Sequence, residues 1–226
     1  MDAERLAALH PVLYHMADAR NYESTKRRGL LSTSALLDQW GVSGDARVPV
    51  EAAHRPTTLA LSDPDETVWV RDQHPLEPAA LAACLDDVSP EEWYRTLNAR
   101  VFFWPTRDRL ERMLKAYGRS EQAVFEIDTA GLLARYADKI ELSHINSGYA
   151  GSRYPAAKRG RYTFVPLSDY AYSAKNKIAE VTVRGAVPDV LEVTRRVVLR
   201  HGRQERVIWE VGNALWHKAN GFPAGS

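Results

Sequence analysis

A chain of 226 residues with 45% hydrophobic and 26% charged side chains fits a globular protein with one large core, and it excludes wholesale disorder and coiled coil. Thirty basic against twenty-nine acidic side chains leave +1, so no global field draws in nucleic acid or a membrane surface. The longest apolar run, Ala79–Leu85, is too short for a bilayer, the start Met1-Asp2-Ala3-Glu4-Arg5 lacks a signal-like apolar stretch, and the lone Cys84 leaves no internal disulfide; together these lead to the expectation of a cytoplasmic protein without membrane partners.

In chain order, Asp2–Leu9 reads as a short helix closed by Pro11, and Val12–Met16 as a strand. Asn21–Arg28 reads as a helix with bases in its last turn and Gly29 at the left-handed position. Ser34 is a candidate cap for a helix reaching Trp40, and Gly41–Pro56 has the composition of a loop. Thr57–Leu61 and Thr67–Val70 flank Ser62-Asp63-Pro64-Asp65, a hairpin signal. Pro78–Leu85 is a helix, and Ser89-Pro90-Glu91-Glu92 is a capping box opening another. Val101–Trp104 is a buried strand ended by Pro105. Arg107–Tyr117 is an amphipathic helix stopped by Gly118, Gln122–Ile127 a strand and Thr129–Tyr136 a helix. Further strands are expected near Tyr162–Val165, Ile178–Val183, Arg195–Leu199 and Arg206–Val211. The mixture has no regular βαβ rhythm, no repeat and no linker, which predicts a single α+β domain over residues 1–226 with mainly antiparallel sheets.

Charge is distributed unevenly. Asp63–Glu92 holds nine acids and one base, Arg71, whereas Gly151–Lys177 holds six bases and one acid, Asp169. The second stretch also carries Tyr154, Tyr162, Phe164, Tyr170 and Tyr172. Bases interleaved with aromatics suit a phosphate-bearing strand with stackable bases, although the pattern alone favours a solvated loop and strand.

The chain lacks a dinucleotide-binding Gly-x-Gly-x-x-Gly, a P-loop, His-Glu-x-x-His and Gly-x-Ser-x-Gly, and its seven histidines are scattered without metal-ligand spacing. Three segments carry more information than a fold requires. Leu13-Tyr14-His15-Met16-Ala17 places an imidazole in an apolar strand, where it is either a satisfied core group or a ligand contact. Val101-Phe102-Phe103-Trp104 is accounted for by core packing. Ala179-Glu180-Val181-Thr182-Val183 puts a carboxylate in a β-branched run before a Gly and Pro turn, as an exposed edge residue or a functional one.

The order of these segments resembles the ADP-ribosyltransferase superfamily, and most closely its DarT-like branch: a Tyr14-His15 strand, Asn21 six residues on, Gly29-Leu30-Leu31, an aromatic strand, and Glu180 before Val187-Pro188. Ala17 stands where that branch has a hydroxyl residue, which favours a bacterial sister family. The resemblance spans about His15 to Pro188. It implies an ADP-ribosyltransferase-like split antiparallel β-sandwich with peripheral helices. It also implies a mono-ADP-ribosyltransferase that cleaves NAD⁺ without a metal and passes ADP-ribose to a macromolecule, nucleic acid before protein. A toxin or defence role with an antitoxin partner belongs to the same picture.

In that mapping Glu180 is the catalytic carboxylate, and Arg71, otherwise a candidate for a structural ion pair, grips the pyrophosphate. His15 holds the adenosine ribose, and Tyr14, Asn21 and Phe103 are further NAD⁺ contacts. Lys158, Arg159 and Arg161 of the basic loop would meet a DNA or RNA acceptor. The alternatives are an RNA 2′-phosphotransferase, whose phosphate-gripping Arg and His residues do not need a strand glutamate, and a non-catalytic module of the same fold that binds NAD⁺ or nucleic acid.

Overall fold

The computed structural model describes residues 1–117, 120–152 and 156–212. Gly118, expected to stop a helix, and Arg153 and Tyr154 of the basic loop lie outside the described residues. The chain opens with α1 (Ala3–Leu9), whose N-cap Asp2 accepts from the Arg5 amide, and β1 (Val12–Asp18). It continues through α2 (Tyr22–Arg28), β2 (Leu30–Leu31), α3 (Thr33–Gln39) and α4 (Val48–Glu51). The hairpin β3 (Leu59–Ser62) and β4 (Thr67–Val70) precedes α5 (Pro78–Cys84) and α6 (Pro90–Asn98). Then come β5 (Arg100–Phe103), α7 (Arg107–Ala116), β6 (Gln122–Asp128), α8 (Thr129–Tyr136) and β7 (Ile140–Ser143). After a long loop follow β8 (Val165–Pro166), β9 (Glu180–Arg184), β10 (Ala186–Val187), β11 (Thr194–His201) and β12 (Gln204–Glu210).

The architecture is α+β with antiparallel sheets. One four-stranded sheet has the order β1-β6-β11-β12 and the other β5-β9-β7-β8. Their inner faces share one core: Leu13, Phe125, Ile127 and Val197 from the first meet Val101, Phe103, Leu142, Val181 and Val183 from the second. The two sheets touch where β1 passes β5. There Tyr14 and Trp104 exchange backbone N–H···O bonds of 3.0 and 2.8 Å, and the strands diverge on either side of that bridge.

Several local readings need correction. The α3 cap is Ser32, whose Oγ accepts from the Ala35 amide, while Ser34 turns its hydroxyl to Glu51. Both serines fit the cap pattern, and the tertiary partner decides between them. Inside the expected loop Gly41–Pro56, Pro49 in the first turn and the Arg47–Glu51 ion pair support α4. β7 has no sequence counterpart among the expected strands, because Ile140–Ser143 is short and directly follows a helix. Gly29 does adopt φ +77, and a Cβ there would collide with Pro188 and the Val187 carbonyl. That close approach seats β2 on β10 and fixes the Gly29–Thr33 segment beside the end of β9.

Candidate active site

The fork between β1 and β5 is a cavity of about 610 Å³, within the range of small-molecule sites. Its walls come from the second half of β1, the Gly29–Thr33 segment, β4 with the residues after it, α7, and the Asn146–Tyr149 loop with the start of β9. His15, Asn21, Arg71 and Glu180 all lie in these walls.

His15 sits mid-strand, with its Nδ1 2.8 Å from the Phe102 carbonyl oxygen. A carbonyl only accepts, so Nδ1 carries the hydrogen and Nε2 is left as an acceptor. The ring packs against Phe103 and Phe125, with centroids 5.7 and 6.2 Å away. Burial holds its pKa down at about 4, and the charge of Arg71 pushes the same way, so the imidazole is neutral at pH 7.

Glu180 opens β9, a central strand paired with β5 on one side and β7 on the other. The edge-residue alternative is therefore excluded: the side chain is 5% exposed. Its carboxylate accepts from the Ser147 amide at 3.1 Å and the Ser147 hydroxyl at 2.6 Å. Burial lifts the pKa to about 7, against the opposing pull of these two bonds and of the Arg109 and Arg159 charges.

Arg71 follows β4 and is partly buried, with its Nη1 fully enclosed. Its Nη2 donates to the Met16 carbonyl at 3.2 Å and to Gln122 Oε1 at 2.7 Å, and the guanidinium lies 4.4 Å from the Tyr117 ring centroid. Among the described residues it forms no ion pair, and its buried Nη1 has no hydrogen-bond partner. The structural ion pair considered for Arg71 is absent there, and an unpaired donor on a buried cation is costly without an anionic guest.

Sequence reasoning missed Arg109 and Arg112. With Met113 and Ala116 they form the α7 face that lines the cavity, and the i, i+3, i+4, i+7 spacing that marks such a face was visible in the helix. The sequence reading placed Leu110, Met113 and Leu114 on one apolar face; Leu110 and Leu114 are buried, but Met113 belongs to the second stripe, beside the two cations. Neither arginine has an ion-pair partner among the described residues.

Other expected contacts are corrected. Tyr14 and Phe103 are not in the cavity wall. Strand alternation turns Tyr14 to the opposite face of β1 from His15, against α7, and Phe103 into the shared core. Phe102 and Trp104, on the other face of the same strand, line the cavity instead. Asn21 lines it but uses its amide on the hairpin: Nδ2 donates to the Trp69 carbonyl and Oδ1 accepts from the Trp69 amide, both at 2.9 Å.

Two of the loop's exposed bases have acidic partners: Lys158 pairs with Asp86 and Arg161 with Glu92, both at 3.3 Å, so part of the acidic stretch noted in the sequence lies against part of the basic one. Arg159 is 1% exposed and cannot reach an external phosphate. It donates to the carbonyls of Ala157 and Ser147 and lies 5.9 Å from the Trp93 ring centroid.

Residues 11–194 match DUF7002, a family of unknown function. The chain belongs to that family. The matched span holds every cavity residue named above and ends at the first residue of β11. No curated protein matches the chain. Within this DUF7002 domain, no group of three or more His, Cys, Asp or Glu side chains is placed to hold a metal ion, and no helix is long and apolar enough to cross a membrane, among the described residues.

Proposed function

We propose that the cavity binds NAD⁺ and that the protein is a mono-ADP-ribosyltransferase, with the two antiparallel sheets forming the split sandwich of that superfamily. The observation that carries the reading is convergence. His15, Arg71 and Glu180, dispersed over 166 positions of sequence, line one cavity of a size suited to an organic ligand.

The chemistry of each group suits the reaction. Neutral His15 offers Nε2 as an acceptor for a ribose hydroxyl. The unpartnered Arg71 donor and the arginines of α7 receive the diphosphate. The bond from C1′ to the nicotinamide nitrogen breaks, and its electron pair stays with the nicotinamide, neutralising that ring. The ribose passes through an oxocarbenium-like state, and the Glu180 carboxylate stabilises that charge and holds the 2′-hydroxyl. An acceptor nucleophile then bonds to C1′ and gives up its proton. A carboxylate with a pKa of about 7 is poised to take it near neutral pH. Nucleic acid remains the proposed acceptor class, with Arg159 too deeply enclosed to take part in engaging it.

The test is incubation with NAD⁺ and separate pools of DNA, RNA and protein, following nicotinamide release and label transfer. Glu180→Gln, which keeps the shape and the Ser147 contacts, is expected to lower nicotinamide release at least 100-fold. Release unchanged by this substitution overturns the proposal. The arginine set Arg71, Arg109 and Arg112 favours one second reading, an RNA 2′-phosphotransferase that grips a phosphate. That reading predicts loss of a 2′-phosphate from RNA and tolerance of Glu180→Gln.

A further inference from the structure

The loop between β7 and β8 holds a buried cation that forms no ion pair among the described residues. Arg159 is enclosed by α5, α6 and its own loop: its backbone bridges to Leu85, its guanidinium faces Trp93, and its donors end on main-chain oxygens. Burying an arginine is costly, and two carbonyls do not neutralise it. One acid whose charge acts on it, Glu180, is reached through a single residue. Arg159 Nη1 donates to the Ser147 carbonyl at 2.9 Å, and the same Ser147 points its amide and hydroxyl at the two oxygens of Glu180. Ser147 is completely buried, so it has no water with which to exchange these bonds. Gly148 follows it and Asn146 precedes it in the cavity wall. Ala150 ties the loop to the segment ahead of α5 through main-chain bonds with Pro75 and Glu77, and at Ser147 itself the carbonyl is held by the Arg159 guanidinium.

We propose that Arg159 is a positioning residue for Glu180, acting through Ser147: the guanidinium pins the Ser147 carbonyl, and the pinned residue aims both of its donors at the carboxylate. The inference rests on Glu180 being the working carboxylate of the proposed reaction, but its physical content concerns the unliganded protein. Three groups from two elements act on Glu180: Ser147 by hydrogen bonds and Arg159 by charge, both from the β7–β8 loop, and Arg109 from α7 by charge. All three favour the ionised form. Removing Arg159 takes away one charge and loosens two donors, whereas removing the Ser147 hydroxyl takes away one donor only.

The experiment is titration of the Glu180 side-chain carbon by NMR in glutamate-labelled protein, assigned by its disappearance in Glu180→Gln. It is run on wild type, Ser147→Ala, Arg159→Gln, the double variant and Arg159→Lys, each checked for cooperative unfolding. Arg159→Gln is expected to move the Glu180 midpoint up by roughly one pH unit, the scale on which a lost opposite charge acts. The effect of Ser147→Ala is expected to shrink when Arg159 is already Gln, since coupled groups are non-additive. Arg159→Lys, which keeps the charge and one donor, restores part of the shift. Additive shifts, or a Glu180 midpoint indifferent to Arg159, overturn the proposal. Should Arg159→Gln fail to fold, Arg159→Lys alone decides between a moved and an unmoved midpoint. Nicotinamide release with NAD⁺ is measured on the same samples. An altered midpoint without any turnover in wild type would remove the functional reading and leave the positioning role standing.

Discussion

Replacing Glu180 by Gln changes the pH dependence of stability in a way that can be worked out from its surroundings. The carboxyl group titrates near 4.5 when exposed and at about 7 in the folded protein. At 1.36 kcal/mol per pH unit, that rise corresponds to about 3 kcal/mol between the protonated and ionised forms. Because the folded value is the higher one, the favourable contribution is fully present below pH 4.5 and is lost as pH rises through about 7. Glutamine keeps the geometry, its oxygen accepting from the Ser147 amide and its nitrogen donating to the Ser147 hydroxyl, and it has no proton to lose. The stability of Glu180→Gln relative to wild type is therefore expected to climb by about 3 kcal/mol between pH 4.5 and 7, then level off. His15 makes the comparison necessary. Its pKa falls from 6.5 to about 4 on folding, so its contribution is present above pH 6.5 and lost as pH drops towards 4. The two slopes oppose each other between pH 4.5 and 6.5, and wild type alone shows little net change from them. Urea unfolding of both proteins at half-unit steps from pH 4 to 8 provides the difference. A stability difference that stays flat across this range refutes the burial argument for Glu180.

Arg71→Gln is expected to weaken NAD⁺ binding at least tenfold by calorimetry while leaving the fold intact, since the lost charge-assisted bonds are each worth about 1.5–3 kcal/mol; undiminished affinity removes Arg71 from the ligand site. Phe102 and Phe103 should separate cleanly. Phe103→Ala in the core costs about 3–5 kcal/mol of stability by chemical denaturation, whereas Phe102→Ala mainly alters ligand affinity. The reverse pattern would contradict the assignment of strand faces. Asn21→Ala frees the Trp69 backbone and is expected to speed amide hydrogen exchange across Leu59–Val70, leaving the sheet core unchanged; equal exchange rates would show that the Arg27 and Arg28 ion pairs to Glu66 suffice to hold the hairpin.

Periodic signals carried much of the fold into view. The Ser89 capping box, Thr129–Tyr136 and the β3–β4 hairpin are local patterns, and local patterns fold as read. What stayed hidden was long-range. Whether Ser32 or Ser34 caps α3 depends on Glu51, and whether Phe102 or Phe103 faces the cavity depends on which side of β5 the other sheet lies. A strand alternates faces every residue, so an error of one position moves a side chain from ligand to core. The basic loop misled for the same reason. Its composition predicts an exposed cationic surface, but Arg159 is buried, and Asp86 and Glu92, about seventy residues earlier, pair with Lys158 and Arg161. Charge blocks of opposite sign in one chain are as apt to find each other as to find a partner. Arg109 and Arg112 illustrate the opposite error, because a helix was read for its apolar stripe and its second face was passed over.

One physical cause acts on both ends of the cavity. Enclosure removes water, which lowers the basicity of His15 and raises that of Glu180, so near pH 7 the first is neutral and the second is balanced between its two forms. Environments that drive two titratable groups in opposite directions are how a single fold assigns an acceptor role to one and a proton-transfer role to the other. Arginine does not follow this pattern: Arg71 and Arg109 remain charged even though burial lowers their affinity for protons. The unliganded cavity therefore carries a net positive charge, concentrated on α7 and on the turn after β4. A neutral sugar alone leaves that charge uncompensated, and a free cation is repelled by it. On the proposed function, a ligand with a diphosphate between two riboses would answer the arginines, the His15 acceptor and Glu180 together, and its cationic ring would favour the ionised carboxylate as it binds.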